Sequence, residues 1–189
     1  MQRRKVFVMG LSLACGLGLF LLPPASAAEE KAGQTIQVGP DLKMTVPAEW
    51  SRKTPRVKIV EHEFAIPGGE GEESAGRMTV MVAGGSVEAN VERWLGQFTQ
   101  PDGSSTAEKA KTEKKQVAGT EVTVVDVSGT YRDSRGPFAP AVERPGYRML
   151  AAIVPTSQGN YFIKLYGPKK TIAANEKAFA KMIEGIRKG

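Results

Sequence analysis

Short β-rich runs joined by links too brief for parallel crossovers constrain this chain more than any other feature. Ile36-Gln37-Val38 and Met44-Thr45-Val46 alternate in polarity around Gly39-Pro40-Asp41 and read as a strand pair ending at Pro47. Val57 to Ile66 reads as a strand stopped by Pro67-Gly68-Gly69, with Arg77 to Val82 as its partner across an acidic, glycine-rich link. Val117 to Tyr131 is a long β-branched run with a turn signal at Ala118-Gly119. Tyr147 to Val154 and Asn160 to Tyr166 then form a hairpin about Pro155–Gly159. Only two stretches repeat at helical spacing. One carries Val87, Val91, Trp94, Leu95 and Phe98 behind Ser86 as N-cap; the other carries Ile172, Glu176, Phe179, Met182, Ile183 and Ile186, with Arg187 and Lys188 at its negative end. Residues 106–116, polar and mixed in sign, read as a solvated, partly helical connector. The pattern predicts an α+β domain: a mostly antiparallel sheet of about six or seven strands covered by helices. Val122–Val127 and Leu150–Val154 are apolar at both parities, so cover is expected on both sides of the central strands.

The first 28 residues have a different character. Arg3, Arg4 and Lys5 precede an uncharged run from Val6 to Leu22, and Pro23-Pro24-Ala25-Ser26-Ala27-Ala28 supplies a helix break and small residues. Residues 1–28 therefore read as a secretory signal peptide cleaved after Ala27 or Ala28, with 29–35 a flexible tail and 36–187 a single domain. The alternatives are an uncleaved anchor, since the run approaches the roughly 17–25 residues that span a bilayer, and a lipoprotein modified at Cys15. Export predicts an extracytoplasmic protein, periplasmic or secreted, with no stable membrane insertion after cleavage. Cys15 is the only cysteine, so the exported part has neither disulfide nor thiolate chemistry. The chain carries a net charge of +6; three of those charges lie in the acid-free leader, leaving +3, too little for a strongly basic nucleic-acid binder.

Met44-Thr45-Val46-Pro47-Ala48-Glu49-Trp50, the strand-then-helix unit at Met78 to Phe98, and Asn160-Tyr161-Phe162-Ile163-Lys164-Leu165-Tyr166-Gly167-Pro168 before a last helix resemble the PsbP-like superfamily over residues 36–187. That resemblance implies a secreted or lumenal α/β/α sandwich and a binding or assembly factor rather than an enzyme. It transfers no catalytic residue.

The chemistry read from the residues is sparse. His62 is the only histidine; on a strand it points away from Glu61 and Glu63 and shares a face with Val60, Phe64 and Ile66, which predicts a partly buried, hydrogen-bonded ring. No HExxH, Walker A or EF-hand pattern is present, and no cofactor or metal is expected. Glu70, Glu72 and Glu73 read as a soluble loop. The stretch Lys109, Lys111, Lys114 and Lys115 is interrupted by acids and has no interleaved aromatic for base stacking. Lys169 and Lys170, at the start of the last helix with Thr171 as its expected cap, could hold an anion. The strongest candidate is the segment Arg132 to Pro145, longer than a usual hairpin loop and rich in proline: Tyr131, Arg132, Asp133, Arg135, Phe138 and Arg144 are its expected binding residues. The preferred reading is a non-catalytic binding or assembly module that presents this loop to an envelope or secreted protein, or to a small anionic ligand. A small hydrolase or lyase using carboxylates with Tyr131, Arg132 or Asp133, and a carrier of an apolar ligand between sheet and helix, are the rival readings.

Overall fold

A computed structural model describes residues 33–68, 76–134 and 140–189. The opening hairpin forms as its turn signature dictates. β1 (Gln34–Val38) and β2 (Leu42–Val46) pair antiparallel about Gly39, whose φ of 69° suits a residue without a Cβ. The pair does not extend the main sheet. The free edge of β2 takes β11 (Arg187–Lys188), giving a small sheet of order β1-β2-β11.

The main sheet has eight strands: β3 (Ser51–Lys53), β4 (Val60–Ile66), β5 (Gly76–Ala83), β6 (Phe98–Thr99), β7 (Lys111–Val117), β8 (Thr120–Asp133), β9 (Val142–Thr156) and β10 (Gly159–Pro168). Their order is β3-β4-β5-β10-β9-β8-β6, with β7 also paired to β8, and every pairing is antiparallel. One face packs on the small sheet and on α3 (Lys169–Glu184), which buries Ile172, Phe179, Met182 and Ile183 against Trp50, Phe64, Val80, Ile163 and Leu165. The Trp50 indole donates to Asn175 Oδ1 at 2.9 Å, and Arg148 holds Asp126 through two bonds and Glu176 through a third, tying α3 to the strands. The other face meets α1 (Val87–Leu95), whose N-terminus is closed by Ser86 Oγ accepting from the Ala89 N–H at 3.1 Å. α1 buries Trp94 edge-on against Phe162, with Val125, Val127, Met149, Ala151 and Ile153 beneath.

This architecture corrects the sequence expectation of a helix-covered α/β/α sandwich. The described residues form eleven strands and three helices, and α2 (Thr106–Lys109) is a single turn. A second sheet shares the covering of one face with α3, and a nine-residue helix covers only part of the other. The extra strands come from sequence that lacks an apolar face. Lys111 to Gln116, read as connector, is an edge strand bonded to β8 on one side with its charged residues in water. β9 begins at Val142 rather than Tyr147, running through Pro145. It can do so because Pro145 and Gly146 lie opposite the register shift between Gly129 and Tyr131, and pairing with β10 begins only at Tyr147. No helix among the described residues is long and apolar enough to cross a membrane.

Candidate functional site

The site is the part of the main sheet's second face that α1 leaves uncovered. Along β10, alternation sends Tyr161, Ile163 and Leu165 into the closed core and Phe162, Lys164 and Tyr166 to the α1 side. Phe162 is buried under Trp94, whereas Lys164 and Tyr166 are half-buried beyond the end of the helix. On the neighbouring β5, Arg77 lies directly opposite Tyr166. Its guanidinium makes a forked pair with Glu63 of β4, both bonds 2.9 Å, donates to the Tyr166 hydroxyl at 2.6 Å and lies 5.9 Å from that ring's centre.

On the far side of β10, the β8–β9 hairpin adds two tyrosines. Tyr131 lies 5.5 Å from Tyr166 between ring centres, 5.1 Å from Phe98, and stacks nearly parallel on Tyr147 at 6.1 Å. The position of Tyr131 depends on Gly129, which has φ of 154° and whose missing Cβ would sit 2.5 Å from the Thr99 carbonyl oxygen of β6. Only glycine lets β6 cross that closely, and the register shift that follows re-aims β8 so that Tyr131 faces Arg144 across the hairpin. Arg144 in turn donates to Asp133 Oδ2 at 3.2 Å.

Lys164 is the unusual member. Its ammonium donates to Gln97 Oε1 at 3.2 Å and sits 5.4 Å and 5.9 Å from the ring centres of Trp94 and Tyr166. The Arg132 N–H donates to the Gln97 carbonyl at 2.8 Å, fixing the segment that carries this amide against β8. Desolvation, reinforced by the charges of Arg93 and Arg77, lowers the Lys164 pKa to about 8. Burial raises Tyr131 and Tyr166 above the ordinary phenol range, so both are neutral hydroxyls at physiological pH.

Of the residues expected to bind, Tyr131, Asp133 and Arg144 come together on this face. Arg132 pairs in register with Glu143 and stands exposed. Arg135 and Phe138 lie outside the described residues, as do Glu70, Glu72 and Glu73. β8 extends into the expected loop as far as Asp133, and β9 enters it from Val142. Lys169 and Lys170 are exposed in the first turn of α3, which packs on the opposite face; the helix N-cap is Pro168, and Thr171 is buried within the first turn. Sequence reasoning missed Lys164, Arg77, Tyr147, Tyr166 and Gln97 as site residues. One signal was available for Lys164: it has the parity of Phe162 and Tyr166 in an aromatic strand, a position where a lysine is not solvated by default.

His62 lies on the other side of β4 from Glu63. The shift between Val60 and His62 separates those two, leaving His62 with Phe64 and Ile66 on the closed-core parity, where Nε2 meets the Gln37 carbonyl at 3.0 Å and Nδ1 meets Arg52 Nη2 at 2.9 Å. No three His, Cys, Asp or Glu side chains converge as metal ligands among the described residues. A second concavity of about 650 Å³ lies between α1 and the α2–β7 segment. Val87, Val91, Leu95 and Phe98 form apolar walls, and its charges, Glu88, Glu92 and Lys114, are exposed.

No protein-family model and no curated protein matches the sequence. Among solved structures, the chain is similar to the solution structure of cyanobacterial PsbP from Synechocystis sp. PCC 6803, with 9% identity, 89% of this chain and 99% of that one covered, and a TM-score of 0.51. A Pseudomonas aeruginosa protein of unknown function, PA94, aligns with 82% of this chain and 95% of its own at 9% identity and a TM-score of 0.43. The likeness to PsbP is one of fold: the resemblance read from the sequence holds for the path of the chain.

Proposed function

We propose that the protein is a non-catalytic binding module acting outside the cytoplasm, and that it holds a protein partner on the tyrosine–arginine face at the root of the β8–β9 hairpin. The observation that carries this reading is the grouping of Tyr147 and Tyr166, packed on buried Tyr131, with Arg77 and Arg144 on a sheet face that α1 leaves open. Tyrosine and arginine dominate the energetics of protein interfaces because each buries a large, stiff surface and keeps a polar end. Here the rings are already stacked and the guanidiniums already oriented by Glu63 and Asp133, so little side-chain freedom remains to be lost on docking. The leader-like residues 1–28 support the location, and the fold likeness to PsbP is compatible with a binding role.

Photocrosslinking in the native host tests this. A benzoylphenylalanine at position 147 is expected to give one discrete adduct that the same probe at exposed Lys177 on α3 does not give, and Arg144→Ala in the same chain is expected to weaken that adduct several-fold. An identical adduct pattern from positions 147 and 177 would remove this face as the docking surface.

A further inference from the structure

The charges on the second face do not balance in the way their neighbours suggest. Arg77 has Glu63 and Arg144 has Asp133, each within salt-bridge distance. Lys164 and Arg93 have neutral acceptors instead: the Gln97 amide oxygen for the lysine and the Asn90 amide oxygen for the arginine. Arg93 is exposed and water compensates it, but Lys164 is half-buried among rings. Two charges act on its ammonium, Arg93 from α1 and Arg77 from β5, both of its own sign; the other titratable groups on this face are Glu63 of β4, bound to Arg77, and Tyr166 on its own strand. Its cross-strand neighbour in β9 is Ala151 and in β5 Thr79, neither of them titratable. The carbonyl end of α1 and two aromatic faces offer partial compensation. A full counter-charge is missing among the described residues, and burying an ammonium without one is costly.

We infer that Lys164 anchors a carboxylate of the ligand, received between the C-terminal end of α1 and the aromatic surface of β10. The inference rests on the docking face described above and names the chemistry that face would recognise. One ammonium of limited access, framed by two rings and an amide, suits a monoanion; a phosphate dianion would call on Arg77, whose forked donors are already committed to Glu63. The Gln97 side chain, accepting from Lys164 through its oxygen, keeps an NH₂ group to donate to the incoming oxygen.

The test follows the Lys164 ammonium by NMR in ¹⁵N-lysine-labelled wild-type protein, with chloride of matched ionic strength as the reference. Acetate is the free-acid probe, and a short glutamate peptide is compared with its glutamine counterpart. Either carboxylate is expected to shift the resonance saturably and to raise its titration midpoint by about one unit, as an opposite charge at contact distance does. A response to acetate equal to that of the glutamate peptide assigns the site to small acids; a response to the glutamate peptide much stronger than to acetate assigns it to an acidic chain. Lys164→Met is expected to bind at least about tenfold more weakly, and Lys164→Arg to retain binding. A midpoint unmoved by both carboxylates would overturn the inference on wild-type protein alone, as would a Lys164→Met variant that binds as well as wild type. A position-147 crosslink that persists while Lys164 stays silent would remove the carboxylate site and leave the docking face standing. A saturable carboxylate response with no specific crosslink would do the reverse.

Discussion

The two faces of the main sheet are built by alternate residues of the same strands, yet one is sealed and the other is not. Across the order β3-β4-β5-β10-β9-β8-β6 there are six inter-strand gaps, so the sheet is roughly 29 Å wide at about 4.8 Å per gap. On the first face, a sixteen-residue helix of about 24 Å lies beside a three-stranded sheet. On the second, α1 has nine residues and spans about 14 Å. The length of the cover decides what each face can do. Where it is complete, alternation yields an apolar core with its few polar atoms paired, as in Trp50 with Asn175 and Arg148 with Asp126. Where it runs out, the same alternation leaves Lys164, Tyr166, Tyr147 and Arg77 beside water, with their aromatic and cationic surfaces available to something else.

The contrast breaks most sharply at the two tryptophans. Trp50, fully buried on the sealed face, is expected to cost about 3–5 kcal/mol when replaced by alanine, from lost packing, the cavity left behind and an Asn175 Oδ1 without its indole donor. Trp94→Ala is expected to cost a similar amount, but it also removes one of the rings that frame Lys164. Urea titration gives the stabilities, and the position-147 crosslink gives the docking. Trp50→Ala should leave the crosslink of the folded fraction unchanged. If it cost less than about 1 kcal/mol, the sealed face would not be where the stability resides.

A smaller effect is expected in the pH dependence of stability. The folded Lys164 titrates near 8, below the ordinary lysine value near 10.4 that it recovers on unfolding. Between those values the unfolded chain binds more protons than the folded one, so this residue makes stability rise with pH across that window; below it the full penalty of the buried ammonium remains. Because water still reaches the side chain, the swing is expected to be on the order of 2 kcal/mol rather than the full value of the shift. Tyr131 and Tyr166, raised by burial, act in the opposite sense once free phenols begin to ionise near pH 10, which closes the window from above. Lys164→Met should be the more stable protein at neutral pH and should lack the rise. A wild-type curve as flat as the variant's would mean that the ammonium is fully solvated and the open face carries no stored electrostatic cost.

Much of the layout was legible because it depends on local periodicity. The β9–β10 hairpin, the β1–β2 pair and helices α1 and α3 announce themselves by alternation, turn residues and a capping serine. β7 did not, because an edge strand bonded on one side has no apolar face to display, and Lys-Thr-Glu-Lys-Lys-Gln looks like connector. The helical cover was overestimated for a related reason. Strands apolar at both parities demand cover without saying of what kind, and part of that demand is met by a second sheet whose third strand is two charged residues, Arg187 and Lys188. The site was half legible: Tyr131, Asp133 and Arg144 lie within one hairpin, whereas Lys164 meets Gln97 and Trp94 from about seventy residues away, a juxtaposition only the sheet order creates.

The smallest effect belongs to the sealed face and its lone imidazole. Nδ1 of His62 accepts from Arg52 while Nε2–H donates to the Gln37 carbonyl, so the neutral ring satisfies both partners. Adding a proton at Nδ1 would turn a donor toward the Arg52 guanidinium. Burial lowers the His62 pKa, Arg52 adds to the lowering, and the Gln37 bond opposes it. The unfolded chain therefore takes up its proton first as the solution is acidified. The stability contributed is complete above the ordinary histidine range and lost as pH falls through the depressed midpoint. For a ring at the margin of the small sheet the contribution should stay below about 1 kcal/mol. His62→Gln keeps a donor for the Gln37 carbonyl and has nothing to titrate, and every other ionisable group is common to the two proteins. The difference between the two stability curves isolates the ring: wild type should fall more steeply than the variant on acidification, and parallel curves would mean that the sealed face holds His62 no more tightly than water does.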